Sequence, residues 1–336
     1  MRVLIYFKPK EKFDNFEGAR LRKSIKGALE INNIDYTPNE VDHYDIAHFI
    51  SPNSESKINA CIESGIPVVL SALYCESDIE ASYLEYITKK EKRSIVLTQK
   101  ALRVLNKVNL VLVPSKQAKE FLIESGVNTP IEVLPTSVNI SRFSYLREDE
   151  KEVFYRYYRE DKNKKLVISI GSYDNLDGVS AFIKSAKLNP GCSFYYFAQH
   201  NSKTNLKYKL LTRKSPKNCH FVNIPNDDIY RSALVNSTLF MYNGYDCAGI
   251  VSILEAMAAK TEIVIRNQPL FSDILVNEKT CHIGQFSETL TAIACDYLND
   301  KIYPTKENAF KYAASQGLDV AGEKLKEIYE KVLKKE

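Results

Sequence analysis

The fold is decided by the stretch Tyr242-Asn243-Gly244-Tyr245-Asp246-Cys247-Ala248-Gly249-Ile250-Val251-Ser252-Ile253-Leu254-Glu255-Ala256-Met257-Ala258-Ala259. An apolar run at 239–242 overlaps its start and predicts a buried strand, and a second run at 262–265 follows it. A glycine-containing loop and a helix of small residues, beginning near Gly249, connect the two runs. This order of strand, loop, helix and strand is typical of a parallel sheet flanked by helices.

The N-terminus of this helix is a candidate phosphate site. Its free backbone N–H groups and the positive end of its dipole point toward the carboxyl edge of the sheet, where they stabilise an anion. Gly249, Ile250 and Val251 are therefore candidate substrate-binding residues. Glu255 follows within two turns, in reach of a ribose or sugar hydroxyl. The alternative for Glu255 is an ordinary capping or solvated helix glutamate.

The same alternation of strands and helices runs through the whole chain of 336 residues. Short apolar runs predict buried strands at 3–7, 46–50, 68–70, 110–113, 131–134, 167–170, 194–197, 221–222, 239–242 and 262–265. A polar stretch around 139–165 separates two series of such runs. We predict an α/β protein with two Rossmann-like domains, 1–145 and 146–318, each a parallel sheet flanked by helices, and a terminal helix, 319–336, that crosses back to the first domain.

The first helix is predicted from apolar residues at helical spacing, namely Leu21, Ile25, Ala28 and Leu29. Four cations lie off that apolar face: Arg20, Arg22, Lys23 and Lys26. Gly18 falls in the loop ahead of this helix, where a glycine lets the backbone approach a ligand. A plain turn glycine is the alternative.

The composition indicates a folded protein of a reducing compartment. Apolar residues make up 44% of the chain, and a net charge of +4 gives no indication of nucleic acid as a partner. The seven cysteines stand singly, which favours the cytoplasm and predicts neither a zinc site nor a disulfide framework. The N-terminus lacks the pattern of a signal peptide, and no apolar run approaches the ~20 residues that span a bilayer.

The segment 79–119 is basic, with nine lysines and arginines against three glutamates. Apolar residues interleave with these cations, which predicts a basic amphipathic helix on an anionic membrane surface or on an acidic partner. The alternative is a solvated helix packed on its own domain. The membrane prediction places the protein on the inner face of the cell membrane, and its surface residues are Lys89, Lys90, Lys92, Arg93, Lys100, Arg103 and Lys107.

The stretch quoted above resembles the donor-binding motif of family 4 glycosyltransferases, which have the GT-B fold. The resemblance rests on Gly-Ile-Val at 249–251, Leu-Glu-Ala-Met-Ala at 254–258 and the Val-Ile strand after them. It extends over nearly the whole chain, in segments that include 17–18, 44–48, 65–69, 113–115, 134–135, 266 and 269–271. The pattern is nearest to bacterial diacylglycerol glycolipid glucosyltransferases, and it implies a GT-B arrangement of the two predicted domains.

The resemblance implies retaining transfer of a hexose from a nucleotide sugar such as UDP-glucose to a glycolipid, glycan or other membrane-associated acceptor. It implies an acceptor-side N-terminal domain, a donor-side C-terminal domain, and no metal or other cofactor. The family has two glutamates separated by seven residues. The second matches Glu255, and the first falls on Cys247 or, with one inserted residue, on Asp246. Asp246 and Glu255 are thus the candidate catalytic residues, and Arg266 is a candidate substrate-binding residue.

Two positions for the donor diphosphate depart from the family pattern. Where the family has an arginine and a lysine, this chain has Ser172 and Asp177 in the segment 171–178. Exchanging a cation for an anion about 4 Å from a phosphate reverses an interaction of several kcal/mol at intermediate dielectric. The candidate replacement cations are Arg266, Lys203 and Lys207.

The histidine that the family has after the strand at 68–70 is also missing, from the segment that holds Ser71 and Leu73. His48 matches a different family position and is more typical of a hydrogen-bonded core residue. These departures favour an alternative to the enzyme: a catalytically degenerate GT-B protein that serves as partner subunit of another glycosyltransferase, or as a carbohydrate-binding or chaperone-like module. The sequence leaves both hypotheses open.

Overall fold

The computed structural model describes residues 1–7, 16–74, 81–85, 94–171, 176–198, 206–244 and 250–334. Two six-stranded parallel sheets dominate the protein, one in each half of the chain. Helices flank both sheets. The prediction of an α/β fold with two Rossmann-like parallel sheets is therefore confirmed.

The described residues of the first half form the strands Arg2–Tyr6 (β1), Asp35–Thr37 (β2), Ile46–Phe49 (β3), Val68–Ser71 (β4), Ala81–Glu85 (β5), Ser94–Leu97 (β6), Leu110–Val113 (β7) and Ile131–Val133 (β8). Six of them pair in the order β2-β1-β3-β4-β7-β8, and β5 and β6 form a separate antiparallel pair. The strands β3, β4 and β7 are buried at every residue, which explains why they appear in the sequence as continuous apolar runs.

The second half contains the strands Leu166–Gly171 (β9), Ser193–Ala198 (β10), Cys219–Asn223 (β11), Leu239–Tyr242 (β12), Glu262–Arg266 (β13) and His282–Gly284 (β14). They pair in parallel in the order β11-β10-β9-β12-β13-β14. The apolar pattern does not predict the edge strands β2 and β14, because each is three residues long and partly exposed.

The helices are Phe16–Ile31 (α1), Glu55–Glu63 (α2), Gln99–Leu105 (α3), Lys116–Glu124 (α4), Ser141–Ser144 (α5), Glu148–Lys151 (α6), Val153–Tyr158 (α7), Leu176–Leu188 (α8), Leu206–Thr212 (α9), Asp227–Asn236 (α10), Val251–Ala258 (α11), Ser287–Leu298 (α12), Lys306–Ala314 (α13) and Leu318–Leu333 (α14). A 3₁₀ turn, Pro269–Phe271, follows β13. None of the helices in the described ranges is long and apolar enough to cross a membrane.

The start of α1 corrects two sequence-based expectations. Gly18 lies in the first turn of α1, and not in the loop before it. The helix begins two residues earlier, at Phe16, and a glycine costs a helix only about 1 kcal/mol relative to alanine, so Gly18 does not interrupt it. Arg20, which the pattern places off the apolar face of α1, is only 8% exposed. It is buried because its side chain meets the second half of the chain, as described below.

The segment 79–119 is not a single basic helix, so that prediction is wrong for its described residues. They form β5, β6, α3, β7 and the start of α4. Within α3, Ala101, Val104 and Leu105 are buried in the hydrophobic core, whereas Lys100 and Arg103 are exposed. The apolar face of α3 packs on the protein itself and is not available to a membrane. The remaining predicted surface residues are Lys107, which is exposed, and Lys89, Lys90, Lys92 and Arg93, which lie outside the described residues.

The helix α14 returns to the first sheet. Its residues Ile328 and Tyr329 pack in one hydrophobic cluster with Val3 of β1. It also crosses α1 closely, since a Cβ atom on Gly322 would lie 2.2 Å from the carbonyl oxygen of Ala28. A helix from the end of the chain thus covers a sheet built from its beginning.

Candidate functional site

The candidate site lies where α11 follows β12. Ile250 precedes α11 in the left-handed region, with φ of 44°, and Val251 is the first residue of the helix. Both side chains are buried, and Val251 belongs to the hydrophobic cluster of the first sheet. A contact of either residue with a phosphate would therefore come from the backbone N–H groups at the start of α11.

Glu255 lies on the part of α11 that meets the first half of the chain, where it forms an ion pair with Arg20 of α1. Oε2 of Glu255 contacts Nη2 of Arg20. Only 4% of Glu255 is exposed. Glu255 is therefore not the solvated helix glutamate that the sequence allowed as an alternative, but a buried carboxylate that is paired across the two halves of the protein.

Arg20 also reaches a second carboxylate, Asp227, which is the first residue of α10. Nη1 of Arg20 lies 3.7 Å from Oδ1 of Asp227, and its guanidinium carbon lies 4.2 Å from the ring centroid of Tyr230. Asp227 pairs in addition with Arg142 of α5 and with Nζ of Lys23 of α1 at 3.6 Å. We call these five residues together with Glu255 the Arg20 cluster.

The two carboxylates of the Arg20 cluster differ in their affinity for a proton. Burial raises the pKa of Glu255, and the charge and hydrogen bond of Arg20 offset only part of that rise. At Asp227, burial acts in the same direction, but the hydrogen bond and charge of Arg142, together with Lys23 and Arg20, hold the pKa below its ordinary value. Of the two carboxylates, Glu255 is thus the one that takes up a proton at the higher pH.

Arg266 and Asp177, which the sequence singled out separately, lie together in the structure. Arg266 is the last residue of β13 and is 3% exposed. It donates hydrogen bonds from Nη2 to Oδ2 of Asp177 at 2.7 Å, from Nη1 to the carbonyl oxygen of Gln285 at 3.0 Å, and from Nε to the carbonyl oxygen of Asn243 at 3.2 Å. The charge of Arg266 is therefore already balanced by Asp177, in the first turn of α8.

The altered positions Ser71 and Leu73 lie at the end of β4. Oγ of Ser71 lies 2.8 Å from Nε2 of His48, and the hydroxyl of Tyr329 lies 2.7 Å from Nδ1 of the same ring. Burial lowers the pKa of His48 to about 3, so the imidazole is neutral near pH 7. His48 is a hydrogen-bonded core residue, as its sequence context indicates. Leu73 is buried, with φ of 67°.

Several predicted site positions lie outside the described residues, namely Ser172, Lys203, Asp246, Cys247 and Gly249. Of the other candidate residues, Gly18 lies two residues before Arg20 on α1, and Lys207 is exposed on α9. Among the residues that the structure describes, no group of three or more His, Cys, Asp or Glu side chains is arranged to hold a metal ion.

Sequence reasoning does not connect Arg20, Asp227, Arg142 and Tyr230 to the site. One signal is present: Glu255 stands in a helix whose other residues are almost all apolar, so it has to be buried and needs a cation. The identity of that cation depends on how α1 meets α11, which residue spacing does not reveal.

No family model matches the chain. The processive diacylglycerol alpha-glucosyltransferase of Acholeplasma laidlawii is 23% identical in an alignment 339 positions long, which covers 99% of each chain. A glycosyltransferase structure from Rickettsia africae has a TM-score of 0.75 at 15% identity, over 100% of this chain and 99% of that one. The Anabaena protein HepE, in complex with UDP and glucose, has a TM-score of 0.74 at 13% identity, over 98% of this chain and 100% of that one. The predicted resemblance is confirmed: this chain has the GT-B fold of glycosyltransferases and resembles a diacylglycerol glucosyltransferase over its whole length.

Proposed function

We propose that the protein transfers a hexose, with retention, from a nucleotide sugar such as UDP-glucose to a glycolipid or other membrane-associated acceptor. Residues 146–318 take the donor in this proposal, and residues 1–145 take the acceptor. Its support is the whole-length similarity to a diacylglycerol glucosyltransferase and the GT-B fold. The observation that carries it is Glu255, a buried carboxylate in α11 that Arg20 holds from the opposite half of the chain.

The donor binds at the carboxyl edge of the second sheet in this proposal. Backbone N–H groups at the start of α11 stabilise its diphosphate. Glu255 accepts hydrogen bonds from the hydroxyl groups of the ribose or the sugar, and an ionised carboxylate accepts such bonds strongly. Asp246 is the candidate for a second carboxylate beside the sugar. Interactions that strengthen as the leaving diphosphate gains negative charge accelerate the transfer.

The charge of the diphosphate requires cations from this chain. Arg266 is balanced by Asp177, whereas the Arg20 cluster contains three cations and two carboxylates and so carries one positive charge in excess. Because Arg20 is paired with Glu255 and Arg142 with Asp227, we assign this excess to the exposed Lys23 of α1. It supports the proposal that the first half of the chain contributes to neutralising the donor.

The proposal is tested by calorimetry with UDP and UDP-glucose, together with transfer of radiolabelled glucose to diacylglycerol in mixed anionic vesicles. We expect donor binding below the millimolar range and formation of a labelled lipid. Glu255→Gln should abolish most transfer, whereas Glu323→Gln, which removes an exposed charge from α14, should not. Absence of both binding and transfer would overturn the enzyme and favour the degenerate partner or binding module.

We also propose that the acceptor half works at an anionic membrane surface. The exposed side chains of Lys100 and Arg103 on α3 support this, because a basic surface is attracted to anionic lipids without inserting into them. Sedimentation with anionic vesicles should capture the protein at low salt and release it at high salt. The double variant Lys100→Gln, Arg103→Gln should bind less than Lys326→Gln on α14, and a lack of binding at low salt would remove this proposal.

A further inference from the structure

Arg20 and Glu255 are buried together at the contact between α1 and α11. Both side chains are more than nine-tenths buried, and the guanidinium lies over the ring of Tyr230. A buried ion pair of this kind is strongly destabilised when one partner is removed, because the other charge is left without compensation. The state of Glu255 therefore depends on the presence of Arg20.

Among the residues that the structure describes, charges from other elements do not replace Arg20 at this position. Arg142 and Asp227 act on Glu255 from a greater distance and with opposite sign. Arg142 and Lys23 bind Asp227. Within the described ranges, Arg20 is the cation at ion-pair distance from Glu255.

The strand β13 and the helix α13 also pack against α11. Three of their charged residues are engaged elsewhere, and of the other two, Lys311 is exposed and Lys306 is partly exposed. Glu262 binds the backbone N–H of Thr305, and Arg266 binds Asp177. Glu307 of α13 pairs with Lys260.

The protonation state of Glu255 decides what it offers to a donor. An ionised carboxylate has only acceptor oxygens and accepts from two neighbouring hydroxyl groups, whereas a protonated one has lost part of that capacity. Buried carboxyl groups without a cation take up a proton. A vicinal pair of hydroxyl groups, as on a ribose, is therefore bound well only by the ionised form.

We propose that Arg20 is a positioning residue for the donor, because it holds Glu255 in place and ionised. The binding site for the donor hydroxyl groups is therefore complete only when α1 contacts α11. This inference rests on the proposed function and assigns a specific part of the donor site to the first half of the chain. Arg20 acts through Glu255 and is not itself assigned to the reacting atoms.

The test measures the Kd for UDP-glucose by calorimetry between pH 5.5 and pH 8.5. Arg20→Gln should weaken binding by about tenfold at pH 7, and it should move the loss of affinity on the acid side of the profile to higher pH, since Glu255 then takes up a proton more readily. Arg20→Lys keeps the positive charge. In this variant, the pH at which affinity for UDP-glucose is lost should be closer to that of the unmodified protein. Lys26→Gln, which removes a charge from the same helix, is the matched control and should change neither quantity.

The variant Glu255→Gln should bind UDP-glucose weakly at every pH in this range. Adding Arg20→Gln to it should then weaken binding no further, because Arg20 acts through the carboxylate. The proposal would be overturned if Arg20→Gln lost affinity equally at every pH, with no change in the pH at which affinity falls. Additive effects of the two substitutions in the double variant would also overturn it.

A second measurement separates this inference from the proposed function. If the unmodified protein binds neither UDP nor UDP-glucose, the proposed function fails. Urea unfolding then tests the ion pair between Arg20 and Glu255 independently of donor binding. Arg20→Gln should be more destabilising at pH 8 than at pH 5, because protonation of Glu255 relieves the unpaired charge at low pH. This difference should vanish in the presence of Glu255→Gln, and its persistence would show that Arg20 does not act through Glu255.

Discussion

Asp177 accepts a hydrogen bond at 2.7 Å from Nη2 of Arg266, although the two residues stand on different elements, α8 and β13. Asp177 is 45% exposed, whereas Arg266 is buried. Arg266 is thus tied to the one position where an anion replaces the lysine expected from the family resemblance. Asp177 adds a negative charge at the carboxyl edge of the sheet. It also forms an ion pair with the buried Arg266, whose charge is then balanced.

Replacing Asp177 should therefore strengthen donor binding. Asp177→Asn removes a negative charge that repels the diphosphate, and we expect the Kd for UDP to fall about tenfold, which corresponds to about 1.4 kcal/mol. Because Asp177 is half exposed, the lost ion pair should lower the free energy of unfolding by only about 1 kcal/mol. Calorimetry and urea unfolding measure the two effects. Glu323→Gln is the control for net charge, and an unchanged Kd in Asp177→Asn would contradict a phosphate site beside Asp177.

A buried carboxylate distant from the donor chemistry should govern stability at low pH. Glu262 is fully buried and accepts hydrogen bonds from the backbone N–H of Thr305, at 2.9 Å, and from its hydroxyl, at 2.5 Å. It thereby caps α13, and Nε2 of His282 lies 3.3 Å away. Glu262→Gln should lower the free energy of unfolding at pH 7 by about 2 kcal/mol, as measured by urea unfolding.

The pH dependence of this effect follows from the direction of the pKa shift. Burial raises the pKa of Glu262, but His282 and Thr305 outweigh burial and hold it below 4.5. The stability that Glu262 contributes is thus present above pH 4.5 and is lost as the pH falls through the lowered pKa. The difference between the unmodified protein and Glu262→Gln should shrink below pH 4.5. A difference that stays constant down to pH 3 would show that the carboxylate charge is not responsible.

The crossing of α14 over α1 should not tolerate a side chain at Gly322. A Cβ atom there would lie 1.9 Å from Nδ2 of Asn32 and 2.2 Å from the carbonyl oxygen of Ala28. Relieving a contact with the backbone of Ala28 requires the two helices to shift, so Gly322→Ala should lower the free energy of unfolding by about 2 kcal/mol. Gly191→Ala is the matched control, because a Cβ atom at Gly191 meets no atom within 4 Å. Equal stability of the two variants in urea would refute the close crossing.

The imidazole of His48 should remain neutral throughout the physiological range. Burial lowers its pKa to about 3, whereas it takes up a proton near pH 6.5 in the unfolded chain. His48 therefore contributes stability above pH 6.5 that is lost as the pH falls toward 3. In NMR spectra, the signal of His48, identified by its absence from His48→Asn, should not titrate between pH 8 and pH 5. A midpoint near 6.5 for this signal would show that water reaches the ring.

The sequence predicts the fold well because both sheets are parallel and buried. Strands such as β4 and β12 have no solvent-facing residue, so each appears as an uninterrupted apolar run. The short edge strands β2 and β14 lack this signal. The prediction of a basic amphipathic helix in the segment 79–119 is wrong because the apolar residues of α3 are core residues of the first half.

The candidate site is less predictable than the fold. Glu255 and Asp177 are identifiable from local patterns, but their partners Arg20 and Arg266 are set by contacts between distant elements. Arg20 in particular has the appearance of a surface residue of α1, because its sequence neighbours are cations. Burial of Arg20 depends on the approach of α11, which is a property of the assembled protein and not of the helix that carries the residue.

The position of α14 over the first sheet has a consequence for the order of synthesis. Ile328 and Tyr329 complete a hydrophobic cluster that contains Val3, yet they are translated only after all the strands of the second sheet. Leu21 and Leu29 of α1 cover part of this face of the first sheet, but the part under α14 stays open while the second half is made. We therefore expect the N-terminal half to complete its hydrophobic core only after α14 has been synthesised. A chain released before α14 is made would leave these apolar residues exposed, and we expect it to aggregate more readily than the full chain.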